Sequence, residues 1–316
     1  MPHTYNYDEP LRLISNARLS SYRISIQPAN NAELFGSYSW NLTLVGAFYP
    51  LLQIIEVALR NAINNAAVEK ITCGPGQYWF DCLPNTYEQN AQGQNTVPEQ
   101  VKKFKEKIKK AKADAKKSLE DKGHPNPNPT LDHIICHTDF STWEYILDKH
   151  FYNGSDNSFL WPNGLAKAFR RFPHTQEKNP LFHQRDLIRR RIEEVRSFRN
   201  RISHNEPAWR IADIQKKEDI IQNLTSKLKN FMELLYWISP KFHNYVNDIG
   251  IQSRILQILN ISELNRYMHS FTNFEIKEID GLLELVNKAN NENVRHYFNI
   301  NGTNSILQPH STKLFQ

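Results

Sequence analysis

The sequence predicts an all-α protein, and three observations carry that expectation. Apolar residues recur at three- and four-residue spacing along most of the chain, and no convincing run of strict apolar/polar alternation interrupts them. Pro50 apart, helix start and stop signals fall between these periodic stretches rather than inside them. With 316 residues, 40% of them hydrophobic, the chain can bury a real core without a metal or disulfide staple. Its 11 Gly and 16 Pro are too few for a fibrous or low-complexity protein. Three Cys, an odd number, argue against a disulfide framework and fit a reducing compartment.

Residues about 8 to 26 read as one amphipathic helix. Residues about 33 to 71 read as one long helix or two, with Pro50 set to kink or divide it because proline lacks an amide hydrogen. Leu44, Phe48, Leu52, Ile55, Leu59 and Ala62 form its core-facing stripe. Cys73-Gly74-Pro75-Gly76 stops it, and a polar loop continues through Pro98. A Lys-rich helix at 99 to 121 ends near Gly123, and the following His124-Pro125-Asn126-Pro127-Asn128-Pro129 is extended and stiff. Ser141-Thr142-Trp143-Glu144 has the capping-box pattern of a helix start, and another helix is expected at about 160 to 171. Asn179-Pro180 supplies an N-cap and a first-turn proline for a helix to about 203, which Pro207 prevents from continuing. A long helix follows at about 212 to 238, then shorter ones at about 241 to 257, 261 to 268 and 274 to 289. From Asn290 the tail, with Asn301-Gly302, is polar and turn-rich, a candidate for disorder. No internal repeat is visible. The expected organisation is one helical domain over 1–255 and a C-terminal helical extension with a polar tail over 256–316.

Net charge is +6, and its distribution says more than its total. Between Glu99 and Lys122 ten Lys face five acids, and between Arg185 and Arg201 seven Arg face three, which leaves the rest of the chain slightly acidic. Such concentration attracts a polyanion. The Lys run alone reads as a solvated face, whereas Arg is the side chain suited to gripping phosphate. Met1 to Pro10 shows no basic segment followed by an apolar one, so no signal peptide is expected. The best membrane candidate, Leu42 to Ala58, is interrupted by Thr43, Pro50, Gln53 and Glu56. A cytoplasmic protein without a membrane partner is the expectation.

The densest polar chemistry lies between Val195 and Pro207. Ile188, Ile192, Val195 and Ile202 share one helical face, and Arg199 falls on the same line. A guanidinium on an apolar stripe must find an acceptor or line a cavity. Asn200 and His204, four apart, share a different face and can act on one small object. Arg199 and His204 diverge by about 140° on an ideal helix, so they meet only if the helix end loosens or a second copy of the chain contributes. The structural alternative pairs Arg199 with a core carboxylate such as Glu56 and uses His204 to cap the helix C-terminus. A second polar cluster, Glu56 to Asn61, sets Glu56 and Arg60 at i and i+4 among apolar neighbours, so Glu56 can orient an Arg of the later helix.

Together these pieces resemble the Abi-like family, bacterial abortive-infection proteins within the HEPN superfamily. The pieces are Tyr38-x-Trp40-Asn41, then Leu52-x-x-Ile55-Glu56-Val57-Ala58-Leu59-Arg60-Asn61-Ala62-Ile63, then Phe140-x-x-Trp143 and Leu160-Trp161. Last comes Arg196-x-x-Arg199-Asn200-Arg201-Ile202-Ser203-His204-Asn205-Glu206-Pro207. The resemblance runs from about residue 10 to about 250. It implies a HEPN-like helical bundle with additional helices, often a homodimer. It also implies a metal-independent endoribonuclease used against phage-infected cells or as a toxin, restrained by an antitoxin or released by a phage-derived trigger. Arg199, Asn200 and His204 match the HEPN pattern of an Arg, a polar residue, three residues and a His; no cofactor and no metal are implied. Glu56, Arg60, Asn61, Arg196, Arg201 and Glu206 are supporting or RNA-contacting candidates. Relatives often carry a second His where this chain has Asn205, and a Phe-Gly-Phe-Trp where it has Phe140-Ser141-Thr142-Trp143. The chemistry is consistent: a His takes the proton from the 2′-OH, and Arg199 stabilises the phosphorane-like transition state. Asn200 orients one or the other.

Rival readings are weaker. His133 and His137 lie one helical turn apart beside Cys136, but zinc wants three or four convergent ligands, and this stretch reads as packing. A non-catalytic RNA-binding or protein-interaction HEPN module is the more serious alternative, though it has no need of the Arg199-Asn200-His204 trio. No Gly-turned helix pair with a basic second helix, no Gly-flanked nucleophile and no Gly-rich phosphate loop is present in the sequence.

Overall fold

Stripes of apolar residues at helical spacing need a partner face, and here they find one in thirteen α-helices among the described residues. The computed structural model describes residues 2–271 and 274–314. Met1 of the N-terminal stretch and Phe315 and Gln316 of the tail lie outside the described residues. The chain divides into two compact units: Met1–Gln53, Phe198–Asn230 and His243–Gln316 make one, and Ile54–Ser197 with Phe231–Phe242 the other.

The first unit opens with α1 (Asp8–Ile14) and α2 (Asn16–Ile26). They are two helices where one was expected, because Ser15 takes a positive φ of 74° and its hydroxyl caps α2 by accepting the Arg18 amide at 3.4 Å. Then α3 (Asn31–Lys70) begins. Pro50 does not divide it. Losing one ladder bond and accommodating the ring costs about 3 kcal/mol, while fully burying a large apolar side chain contributes roughly 1.5–3 kcal/mol. Phe48, Leu51 and Leu52 are all buried around the proline. By length and composition α3 is also apolar enough to cross a membrane. Its stripe is nevertheless spent inside the protein: Trp40, Leu44 and Phe48 are fully buried in this unit, and Ile55, Leu59 and Ile63 in the other.

The core of the first unit is aromatic. Trp209 meets Tyr22 edge-on at 5.4 Å and Trp40 at 6.2 Å. The Trp40 indole donates to the Ile258 carbonyl at 2.9 Å, and buried Asn41 accepts the Ala208 amide at 3.1 Å, so these two polar groups taken inside are satisfied. Gly36 is a contact point: a Cβ there would stand 1.9 Å from the Tyr267 carbonyl oxygen, so only glycine lets the two segments approach.

In the second unit, the loop after α3 holds a 3₁₀ turn at Trp79–Asp81 and a two-residue hairpin of β1 (Glu88–Gln89) and β2 (Asn95–Thr96). It also holds a disulfide between Cys73 and Cys82, whose Cα atoms lie 5.8 Å apart. The odd cysteine count pointed away from any such bond. The glycine-rich turn that ends α3 brings the two together, and Cys136 is the one left free. Helix α4 (Glu99–Asp121) matches its expected span and buries Val101, Phe104, Ile108, Ala111, Ala115 and Leu119 as one stripe. Two short helices follow, α5 (Leu131–Cys136) and α6 (Phe140–Tyr145). The N-cap of α6 is Asp139, whose carboxylate accepts the Thr142 amide at 3.1 Å; Ser141, expected to cap, lies inside the helix. Only the four-residue α7 (Leu165–Ala168) forms where about 160 to 171 was expected. Then come α8 (Pro180–Ser203), and α9 (Lys217–Ile238), which starts after a 3₁₀ turn at Ile211–Asp213 where Asp219 accepts the Gln215 and Lys216 amides.

Helix α9 ends at Ile238, where it was expected to, and Pro240 opens α10 (Pro240–Asp248) at the position where a missing N–H costs nothing. Gly250, at φ 79°, separates it from α11 (Ile251–Ile258), and α12 (Ile261–Tyr267) follows. The rest departs from the helical extension the sequence suggested. A strand β3 (Phe274–Ile276) precedes α13 (Ile279–Glu292), and the tail forms β4 (His296–Ile300) and β5 (Thr303–Leu307). β4 lies parallel to β3 and antiparallel to β5, the latter pair joined at Asn301-Gly302. Both turn residues have positive φ, 49° and 80°, as a tight two-residue hairpin requires. Ile276, Leu285 and Phe298 form its small core, with Leu282, Ile300 and Leu307 against them.

Candidate functional site

Asn179 accepts the Phe182 amide at the start of α8, and Pro180 occupies its first position, as read from the sequence. Within the second unit the helix buries Ile188, Ile192 and Val195 completely; within the first it buries Phe198 and Ile202. Arg199 and Asn200 sit beside that stripe, half-buried.

The end of α8 is closed by the backbone. The His204 amide still bonds the Asn200 carbonyl at 3.0 Å, so the helical path persists to His204. Asn205 then turns left-handed at φ 56°. Its amide reaches the Ile202 carbonyl at 3.1 Å, and the Glu206 amide reaches the Arg201 carbonyl at 3.1 Å, the Schellman arrangement with Asn in place of Gly. Where that motif commonly adds an apolar contact, this one has an ion pair, Arg201 to Glu206 at 2.8 Å. Arg18 of α2 donates to the Asn205 carbonyl at 2.8 Å, and Arg201 also reaches the Trp209 carbonyl at 3.4 Å. The Tyr49 hydroxyl lies 3.4 Å from that of Ser203.

This closure has a consequence for His204. The carbonyls of Asn200, Arg201 and Ile202 already have amide partners, so the imidazole is not needed to cap them. His204 is exposed, and its side chain makes no hydrogen bond or ion pair among the described residues. Because the helix does not loosen before His204, Arg199 and His204 of one chain stay about 140° apart around the axis. Asn200 and His204 share a face.

Glu56, Arg60 and Asn61 lie on the part of α3 in the second unit; the first two are half-buried and Asn61 is exposed. Arg196 also belongs to that unit, where it is committed to Glu144 at 2.5 Å. Glu144 is 6% exposed, and Arg189 stands 3.9 Å from its other oxygen. Burial lifts the Glu144 carboxyl above its ordinary range against the opposing pull of Arg196. Glu144 and Arg18 were not singled out from the sequence. Glu144 was visible only as part of the Ser141 capping pattern, and Arg18 carried no signal, since its contact lies 187 residues away.

The other sequence candidates resolve locally. His133 Nδ1 accepts the Thr130 amide at 3.2 Å and completes a capping box for α5, while His137 Nδ1 contacts the His133 carbonyl at 2.8 Å. Cys136 is exposed, not packed as its apolar neighbours suggested. Among the described residues no group of three His, Cys, Asp or Glu side chains could hold a metal ion. On α4 the lysines flanking the buried stripe are paired, Lys107 with Asp139 and Lys112 with Asp81 at 2.7 Å. Hydrogen bonds from Lys107 and Ser141 outweigh burial at Asp139 and hold its carboxyl below the usual range. Lys102 and Lys109, and likewise Lys110 and Lys117, are exposed pairs seven residues apart with no carboxylate partner among the described residues.

The family model described as Abi-like protein matches residues 7–210 of the chain, a span that takes in α1 to α8 and the turn after it. Neither the curated proteins nor the solved structures hold a match.

Proposed function

This chain belongs to the Abi-like protein family, which suggests abortive infection, and we propose that it is a metal-independent endoribonuclease of the HEPN type that cuts RNA as a toxin in phage defence. The observation that carries the reading is the exposed His204 at a helix end closed by backbone bonds to the Asn200, Arg201 and Ile202 carbonyls, one turn from Asn200. A histidine so placed has no structural task, and imidazole is the side chain whose ordinary titration lies nearest neutrality.

In the proposed reaction His204 takes the proton from a ribose 2′-OH. The 2′ oxygen forms a bond to phosphorus, and the bond from phosphorus to the 5′ oxygen breaks. A 2′,3′-cyclic phosphate and a 5′-hydroxyl result, the leaving oxygen taking its proton from a second imidazole. Arg199 stabilises the charge that develops on the phosphoryl oxygens, and Asn200 orients the imidazole or the phosphate. One chain offers a single such His with Arg199 turned away from it, so the reading calls for two copies. In a symmetric pair one His204 is the base and His204 of the second copy the acid. The outward lysines of α4 add sequence-independent affinity for the strand.

The test is cleavage of a mixed-sequence single-stranded RNA by the purified protein in EDTA, wild type beside His204→Ala. Cutting that survives EDTA and is lost in the variant is the expected result. No cutting by either, with salt-sensitive RNA binding retained, would make the chain a non-catalytic RNA-binding module. Equal cutting by both would reject His204.

A further inference from the structure

Helix α2 and the segment after α8 enclose a groove of about 650 Å³, and three of its lining side chains are arginines: Arg18, Arg201 and Arg210. Glu206 is the one carboxylate among its lining residues, and it is engaged by Arg201. Arg18 is aimed by the Asn205 carbonyl, which fixes its guanidinium without neutralising it, while Arg201, paired with Glu206, also reaches the Trp209 carbonyl. Arg210 is exposed, and its side chain has no partner among the described residues. Three like charges around one groove repel one another, and Arg18 and Arg210 have no carboxylate partner among the described residues. Such an arrangement is stabilised by an anion. Two further features point the same way. The groove reaches the first turn of α2 at Ala17, where the helix dipole favours negative charge. Trp209, 1% exposed, lines the groove, and its indole N–H has no acceptor among the described residues.

Guanidinium is the group that meets a phosphate with paired donors, and these three belong to the same unit as His204. We propose that this groove holds a backbone phosphate of the RNA strand and sets the strand's register on the protein, with Arg18, Arg201 and Arg210 as its clamp. The proposal rests on the ribonuclease reading above for the identity of the polyanion. It adds a positioning site, outside the Arg199-Asn200-His204 trio, that brings in a helix remote in sequence.

The test uses the full chain and a fluorescein-labelled 2′-O-methyl RNA 12-mer, which binds but cannot be cut by attack of a 2′-hydroxyl. Arg210→Glu, at an exposed position, should weaken binding about tenfold. It should also reduce the slope of log Kd against log salt by about 0.7, the value for one lost contact to a single strand. Arg18→Gln should do the same, and Arg210→Lys should keep the slope. Binding and slope unchanged in Arg210→Glu overturn the proposal, as does a wild type that does not bind the 12-mer. The two readings fail separately. Cleavage lost in His204→Ala with Arg210→Glu binding like wild type removes the groove and keeps the nuclease. Weakened binding in Arg210→Glu without cleavage by the wild type keeps the groove and removes the nuclease.

Discussion

Replacing Asn205 tests the helix end on which the exposure of His204 depends. A left-handed residue costs roughly 1–2 kcal/mol for an ordinary L side chain, less for asparagine, whose amide can bond locally, and nothing for glycine. Asn205 sits at φ 56° with two backbone bonds closing over it, so the chain cannot relax to a negative φ without breaking both. Asn205→Ala should therefore lose about 0.5–1 kcal/mol and Asn205→Val about 1–2 kcal/mol, because a β-branched side chain tolerates this region worst. Asn205→Gly should be close to neutral, since the strain it relieves is offset by the greater freedom of the unfolded chain. The expected order of stability is Gly and Asn together, then Ala, then Val. Urea unfolding at constant m reads these differences, and in thermal melts of a chain this long Asn205→Val should fall by about 2–4 °C. RNA cleavage by Asn205→Val should drop as well, since the turn holds His204 in place. A valine variant as stable as wild type would mean that Asn205 is not left-handed. The helix would then run on past Ser203, and the case for an idle, exposed His204 would fall with it.

Four further outcomes follow from other parts of the molecule. Glu144→Ala should cost about 3–5 kcal/mol in urea unfolding because it strands Arg196 against a buried site, and adding Arg196→Met should recover much of the loss; equal stability of the single and double variants would contradict the pairing. The Asp139 carboxyl is held below its ordinary value, so it contributes stability above the unfolded pKa of about 4, lost as pH falls through the lower folded value. Asp139→Asn should flatten the acid limb of the stability profile, and an unchanged limb would show the carboxylate to be idle. Removing the Cys73–Cys82 bond, which closes a loop at a sequence separation of 9, should cost roughly 2–3 kcal/mol, read by unfolding with and without reductant. An equilibrated equimolar mixture of wild type and His204→Ala should keep about a quarter of the activity of the same total of wild type, because only wild-type pairs carry both imidazoles; one half would mean that each chain works alone.

What the sequence made legible was whatever is local and repetitive. The span of α4 and the Asn179-Pro180 start of α8 are set by neighbours within a turn or two, and both formed as read. Pro50 misled because proline's local cost competes with burial of Phe48, Leu51 and Leu52, and that burial depends on residues far along the chain. The C-terminal sheet carried one clear sign, Asn301-Gly302, but β4 is five residues long and only partly alternating, so its pairing with β5 was hidden. Of the candidate site, the spacing of Asn200 and His204 and the divergence of Arg199 follow from helix geometry alone. The Arg201–Glu206 closure and the left-handed Asn205 needed coordinates, since asparagine before a Glu-Pro pair is equally at home in several turns. Arg18 was beyond reach, because a lone basic residue on an amphipathic helix has no local mark of the carbonyl it will meet.

Gly36 has a meaning for relatives of this chain. It lies inside the span matched to the Abi-like family, whereas the carbonyl that forbids it a side chain belongs to Tyr267, well past the last matched residue. The requirement for glycine is thus imposed by a residue outside the matched span. In an alignment, this one column would sort the family: a chain bearing alanine or anything larger there cannot seat a segment as Tyr267 is seated here. Glycine at that position is the mark to look for when asking which members have acquired a C-terminal region docked in this way.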